Sequence, residues 1–387
     1  MIMEQLNSVG WGQALSTFMT PFGQWFKRSE SRQAAQDYVR GLLAEVKRKN
    51  CWQMAEKLGA SDPQALQRLL YQAEWDAEAV SRHLRITLIE QLGYEPGVGV
   101  IDESGFVKKG QQSAGVQRQY CGRLGKVENC QVGVFLGYVS PQGHALLDRE
   151  LYLPQDWAAD ETRREAAKIP QTIPFQTKPQ LAQQMLERAW AEGIPLNWVA
   201  GDTTYGNSPT LREAIHHQQR QYVLQVAKSM PLRPTAQADA QSAEQWASLA
   251  DGWQRLAFNF GEKGLSFCEW QAWRVYATTD IVGEQWLLIR RSLSVTPDVT
   301  YHVSNASADT PLATLAQVAS ARHQIEQLLE EAKGSAGLAD YEVRYWHSWY
   351  RHMTLALVAH AFITLLRHAD TQKKSGSAAR LVATEFC

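Results

Sequence analysis

At 387 residues the chain is longer than one ordinary core organises, so two or three domains are expected. Its 44% apolar content is that of a globular protein, and 39 Lys and Arg against 40 Asp and Glu leave a net charge of -1. That balance excludes a bulk positive field for nucleic acid, so any such partner must be met by local patches. The five cysteines, at 51, 121, 130, 268 and 387, are scattered and odd in number, as free thiols of a reducing cytosol would be. Cys121 and Cys130 have no second pair with which to bind zinc. The N-terminus has no basic-then-apolar leader, and the most apolar run, residues 353–366, carries His360 and is too short for a bilayer. A cytoplasmic protein without membrane attachment is expected.

Residues 1–95 read as helices. Over residues 31–49, Ala35, Val39, Leu42, Leu43 and Val46 form a helical stripe, and Lys47, Arg48 and Lys49 close it where a helix dipole favours cations. Two short helices follow, Gly59 ending the first and Asp62-Pro63 capping the second. Such a pair resembles a helix-turn-helix and would bring Gln64, Gln67 and Arg68 to DNA. Any helical bundle contains such corners, so a dimerisation or packing element is the competing reading.

After a turn signal at 93–97, Val98, Val100 and Ile101 predict a short buried strand with Asp102 at its end. A strand-end carboxylate can face solvent or a metal without burying an unpaired charge, although by itself it can equally open a turn. Residues 104–127 hold Lys108, Lys109, Arg118, Arg123 and Lys126 and no acid, a positive patch beside Asp102 of the kind a phosphate backbone requires. Strands are expected over 131–139 and 144–153, followed by the acidic residues Asp148, Glu150, Asp156, Asp160, Glu161 and Glu165 as a counterpart to the patch. An amphipathic helix from Lys178-Pro179 to Gly193 leads to a strand at 196–200, which delivers Asp202, a second strand-end carboxylate. The pattern is layered α/β, and no phosphate-binding glycine loop is present.

A helix over 212–220 and a strand over 221–227 come next, and from Lys228 to about 304 the composition turns to tryptophan-rich strands, read as a β-rich insertion. Trp253, Trp270, Trp273 and Trp286 could stack on unpaired bases, but most tryptophans are core or interface residues. Thr310-Pro311 opens and Gly334 stops what should be one long helix over 311–333. At about 100° per residue, Arg322, Glu326 and Lys333 fall within an arc of roughly 40°, beside an apolar arc of Ile325, Leu328, Leu329 and Ala332. An exposed salt-bridged face would look the same. Residues 345–367 predict a packing helix whose histidines, His347, His352 and His360, are satisfied polar groups. Residues 371–387 predict a flexible tail.

Three carboxylates on two strand ends and one helix are what two-metal phosphoryl chemistry requires, with two Mg2+ ions about 3.5 to 4 Å apart. D-E-S-G-F-V-K-K-G, G-D-T-T-Y-G and R-H-Q-I-E-Q-L-L-E-E-A-K, with G-L-A-D-Y-E-V-R-Y-W-H-S-W-Y-R-H-M-T-L after them, resemble prokaryotic insertion-sequence transposases of the Asp-Asp-Glu class. More narrowly they resemble the group with a Tyr-x2-Arg-x3-Glu-x6-Lys signature. The resemblance, over residues 96 to 370, implies a ribonuclease-H-like catalytic core split by a β-rich insertion. It implies Asp102, Asp202 and Glu326 as the metal-binding triad, with Mg2+ replaceable by Mn2+, and Arg322 and Lys333 on DNA phosphate. The signature's tyrosine falls on Ala319, leaving its role to Tyr205, to Tyr345 or to none. Glu103 competes with Asp102 for the metal role; Asp102 is preferred because it follows the apolar strand directly.

The expected organisation is a helical DNA-binding or dimerisation domain at 1–95, a core at 96–228 and 305–370, the insertion at 229–304 and a tail at 371–387. The expected function is a nucleoid-associated transposase that binds terminal inverted repeats in double-stranded DNA as a homodimer, cleaves, and joins 3'-hydroxyl ends to target DNA. A structure-specific nuclease and a catalytically idle DNA-binding regulator are the alternatives. A glycosidase would leave the Arg and Lys bracketing Glu326 unexplained.

Overall fold

The computed structural model describes residues 10–385 except 95, 260–264 and 279–281, without the side-chain surroundings of 123, 258, 259, 265, 266 and 371–385. Before Gly97 the described residues form helices and no strand: α1 (Trp11–Met19), a 3-10 turn (Thr20–Trp25), α2 (Ser29–Leu43), α3 (Cys51–Lys57), α4 (Gln64–Tyr71) and α5 (Ala77–Leu92). Helix α2 stops at Leu43, short of the basic run, because Ala44 turns extended. Lys49 is instead buried, and its ammonium donates to the Ser335 carbonyl at 2.9 Å. Ser335 ends a helix near the other terminus, so the cation does serve a helix C-terminus, but not its own. Gly59, at φ +79°, ends α3, and Asp62 accepts from the Gln64 amide at 2.8 Å to open α4, as the turn chemistry required.

One mixed sheet runs through the rest. Its strands are β1 (Gly97–Val107), β2 (Gln117–Cys121), β3 (Lys126–Ser140), β4 (Gly143–Leu151), β5 (Leu196–Gly201), β6 (Gln221–Val226), β7 (Pro231–Arg233), β8 (Gln241–Ser242), β9 (Gln254–Asn259), β10 (Leu265–Ala277), β11 (Glu284–Ser292) and β12 (Val299–Ser304). The order is β2-β3-β1-β5-β6-β12-β11-β10-β7-β8, with β4 paired to β3 and β9 to β10. Strands β1, β5 and β6 are parallel, and β3 is antiparallel to β1. The β-rich stretch continues this sheet, because β12 pairs with β6 from Tyr301↔Val226 to Val303↔Leu224.

The remaining helices are α6 (Gln155–Ala159), α7 (Glu161–Ala166), α8 (Lys178–Ala191), α9 (Thr203–Gly206), α10 (Pro209–His217), α11 (Ala243–Ser248), α12 (Leu312–Ala321), α13 (His323–Ser335) and α14 (Trp346–Glu385). The single helix expected over 311–333 is two, broken at Arg322. Ser320 Oγ donates back to the Ala316 carbonyl at 2.7 Å, a competing bond that bends helices. Helix α14 continues through the stretch expected as a tail, to Glu385, with no proline to stop it. It packs on α2, α4, α5 and β4, so that Trp349, Met353, Leu357 and Phe362 share one continuous apolar core with the N-terminal helices.

Side chains alternate along β1 and so face different helices. A methyl on Gly99 would touch Leu186 of α8, whereas one on Gly137 of β3 would meet Val100 together with Ile325 and Leu328 of α13. Asp102, two residues on from Val100, therefore faces α13, and Glu103 faces α8. No helix among the described residues is long and apolar enough to cross a membrane.

Candidate active site

The parallel pairing of β1 with β5 ends at Ile101↔Gly201. Strand β5 stops there, while β1, held by β3, runs on to Val107. Asp102 is consequently in mid-strand and not at the strand end expected; it is its neighbour that ends. Asp202 follows immediately as the N-cap of α9, accepting from the Thr204 amide at 2.9 Å. The two carboxylates thus stand side by side beyond the end of β5.

Their electrostatics follow from that placement. Burial pushes the Asp102 carboxyl up to about 7, with Asp202 and Glu103 adding to the rise and Arg322 opposing it. Asp202 is also raised, first by burial and then by Glu103. Glu103 spends its oxygens elsewhere: Oε1 accepts from Lys178 at 2.6 Å and Oε2 from the Tyr205 hydroxyl at 2.9 Å.

The break between α12 and α13 aims Arg322 at this pair. Its Nη2 lies 3.5 Å from Asp102 Oδ2 and 3.1 Å from Glu326 Oε1, and its Nε is buried without an acceptor. Glu326 itself is half exposed. Asp102, Asp202, Arg322 and Glu326 are thus brought together, with the guanidinium between the helix acid and the strand acid. Among the described residues, no three His, Cys, Asp or Glu side chains stand close enough together to hold a metal ion. Asp102 and Asp202, paired and unfavourably charged, fit one; Glu326 is held off by Arg322.

The basic residues divide. Lys333 lies 5.9 Å above the Phe106 ring, on the face of β1 that carries Asp102. Lys109 and Arg118 are exposed, Arg118 on the edge strand β2. Lys126 is 3.3 Å from Glu128, and the Arg123 side chain is outside the described residues. Lys108 is turned inward: it donates to the Tyr341 carbonyl at 2.9 Å, its ammonium lies 3.4 Å over the Tyr341 ring, and burial brings it down to about 7. The acids expected to balance this patch do not all face it, since Asp148 and Glu150 pair with Arg188 of α8.

Of the tryptophans considered for base stacking, Trp270 is fully buried, Trp273 packs on Trp246, Trp286 donates to the Ser307 carbonyl, and Trp253 carries Arg291. His352 is buried and bonded to the Tyr38 hydroxyl at 2.8 Å, as a satisfied polar group should be, whereas His360 is buried 3.8 Å from Glu331 with neither ring nitrogen in a hydrogen bond, against expectation. Lys178 was legible only as a helix start. Nothing in the sequence tied it to Glu103.

A family model described as DDE superfamily endonuclease matches residues 21–248, a span that includes Asp102 and Asp202 and ends before Glu326. Over 201 residues the chain is 32% identical to a protein of Microchaete diplosiphon described as a probable transposase for insertion sequence element IS701, covering 49% of this chain and 48% of that one. The chain thus spans about half the length of the curated relative it matches. Among solved structures, a piggyBac transposase synaptic complex with hairpin DNA aligns with 96% of this chain and 75% of that chain, at a TM-score of 0.44 and 8% identity.

Proposed function

The chain belongs to the DDE superfamily endonucleases, and from that premise we propose that it is an insertion-sequence transposase whose acids are Asp102, Asp202 and Glu326. One observation carries the reading: the β1/β5 register ends where it sets Asp102 and Asp202 side by side, on the face covered by the helix of Glu326. The order β4-β3-β1-β5-β6, with β3 reversed, supports a ribonuclease-H-like core formed by residues 96–228 and 305–370 and interrupted at 229–304. The helices of residues 1–95 would contribute to DNA binding or dimerisation.

Divalent ions, Mg2+ or Mn2+, held by Asp102 and Asp202 and then by Glu326, would supply an activated water or 3'-hydroxyl and a stabilised leaving oxygen. The rest falls to the protein's own groups. Arg322 neutralises the acids in the resting chain. Once displaced from them, its planar fork is suited to a DNA phosphate. Lys333, on the same helix and over Phe106, extends the positive track along β1, and Lys109 and Arg118 continue it towards the sheet edge. Lys178 and Tyr205 fix Glu103 away from the phosphate path. The substrate would be the double-stranded ends of the element, paired by two copies of the chain.

Asp102→Asn, Asp202→Asn and Glu326→Gln should each lower metal-dependent strand cleavage by at least about a hundredfold while leaving binding of labelled end DNA within a few-fold. Retained cleavage in any one removes that residue from the set. A strand-transfer assay with precut ends separates a transposase, which joins them to target DNA, from a nuclease, which does not.

A further inference from the structure

A second site lies away from the acids. Between α3 and α4 on one side and residues 340–345 on the other is an open cleft of about 890 Å3. Tyr341 joins it to the far end of β1 through Lys108, about 20 Å along the strand from Asp102. The cleft is assembled from segments some 280 residues apart in the chain, as the bonds from Ser348 and Arg351 to the Leu70 carbonyl show.

Its lining has three chemistries at once. Trp52 stands at the mouth with 64% of its surface exposed, and Tyr71 and Tyr345 meet edge to face at 5.5 Å behind it. Arg68, Lys168 and Arg344 are exposed cations, outnumbering the lining acids Asp340 and Glu342 even before the committed Lys49 is counted. The amides Gln64, Gln67, Gln72 and Gln112 supply paired donors and acceptors of the kind that read base edges. Aromatic faces, positive charge and amides together are what an unpaired nucleic-acid strand requires.

Lys168 is an independent pointer. It follows α7 at φ +54°, a left-handed conformation at a helix end where glycine is usual and a lysine is strained. Its ammonium lies 4.3 Å over the Tyr345 ring inside the cleft. Strain held at a position whose side chain points into a site is a mark of use.

We infer that this cleft binds a short unpaired DNA segment. The volume suits a few nucleotides, and the aromatic faces suit bases that are not already stacked in a duplex. Aromatic stacking would hold bases while Arg68, Lys168 and Arg344 hold the backbone. The inference rests on the reading that the chain acts on DNA, and it adds a site that opens or traps strand ends at a distance from the acids.

The test uses the full chain carrying Asp202→Asn, which removes cleavage, and the fluorescence anisotropy of a labelled oligo(dT) of roughly a dozen nucleotides. Trp52→Ala and Arg344→Ala should each weaken its binding about fivefold or more, with duplex binding changed less than about twofold. Lys168→Gly should weaken binding and yet raise the melting temperature, because glycine relieves the left-handed strain; a mere folding defect would lower both. Unchanged oligo(dT) affinity in Trp52→Ala and Arg344→Ala, or equal losses for duplex and single strand, would overturn the inference. Plasmid nicking by the wild-type chain is scored separately. Nicking without cleft binding sinks this site alone, and cleft binding without nicking sinks the endonuclease reading alone.

Discussion

Asp102 is the residue on which the site turns. Its carboxyl, at about 7 in the folded chain against an ordinary value near 4, is protonated more readily folded than unfolded. Ionising it therefore costs stability, a cost that grows as pH rises from about 4 to 7 and is complete above that. Asp102→Asn should accordingly raise the melting temperature at pH 8 by several degrees and leave it unchanged at pH 4, measured by calorimetry. An equal shift at both values would mean that the carboxylate is not the strained group. Arg322 is its resident counter-charge. Arg322→Ala should push the Asp102 titration higher still, read by NMR on labelled aspartate, and should lower cleavage.

At the scale of elements, the site depends on how closely α13 approaches the sheet. A methyl on Gly137 would lie 2.9 Å from Val100, 3.0 Å from Ile325 and 3.1 Å from Leu328, so glycine lets the helix settle where Glu326 reaches Arg322, which in turn meets Asp102. Gly137→Ala should cost about 1–3 kcal/mol by overpacking and should lower cleavage more than binding, because it lifts Glu326 from the strand acids. Denaturant melts and cleavage rates on the same preparation check both halves. The Arg322 break belongs to this scale also. Arg322 sits at that break, where its guanidinium meets both Asp102 of β1 and Glu326 of α13.

For the whole molecule, a buried ionic cluster ties three elements together. Asp148 of β4 is fully buried, 3.2 Å from Arg85 of α5 and 2.8 Å from Arg188 of α8. Burial alone would raise its carboxyl, but Arg85, Arg188 and Arg149 together hold it below the ordinary range. Its stabilising effect is thus present above about pH 4 and lost as pH falls below. Asp148→Asn should destabilise the chain by about 3–5 kcal/mol at pH 7 and by much less in acid, since it strands buried guanidinium groups. Chemical denaturation at both pH values checks this. The N-terminal helices share their core with α14, so a fragment of residues 10–95 should show little helical circular dichroism alone.

Short-range features were legible in the residues themselves. The β-branched run at 98–101, the strand that delivers Asp202, the capped helix from Lys178 and the glycine corner after α3 follow from local propensity, period and turn chemistry. Spacing also put Arg322 and Glu326 on one face, because Arg322 keeps helical dihedrals, φ -52° and ψ -36°, where it opens α13. What pairing decides was not legible. Asp102 lies in mid-strand, and is open to Asp202 only because the neighbouring strand ends at Gly201. The β-rich stretch extends the common sheet through β12 and β6, Lys108 and Lys49 are drawn inward by carbonyls 233 and 286 residues away, and the cleft of Trp52 and Tyr345 needs both ends of the chain. Local sequence determined which elements form and which acids they carry; the tertiary structure decided which of those acids meet and which cations stay exposed, because register and burial are set by partners far along the chain.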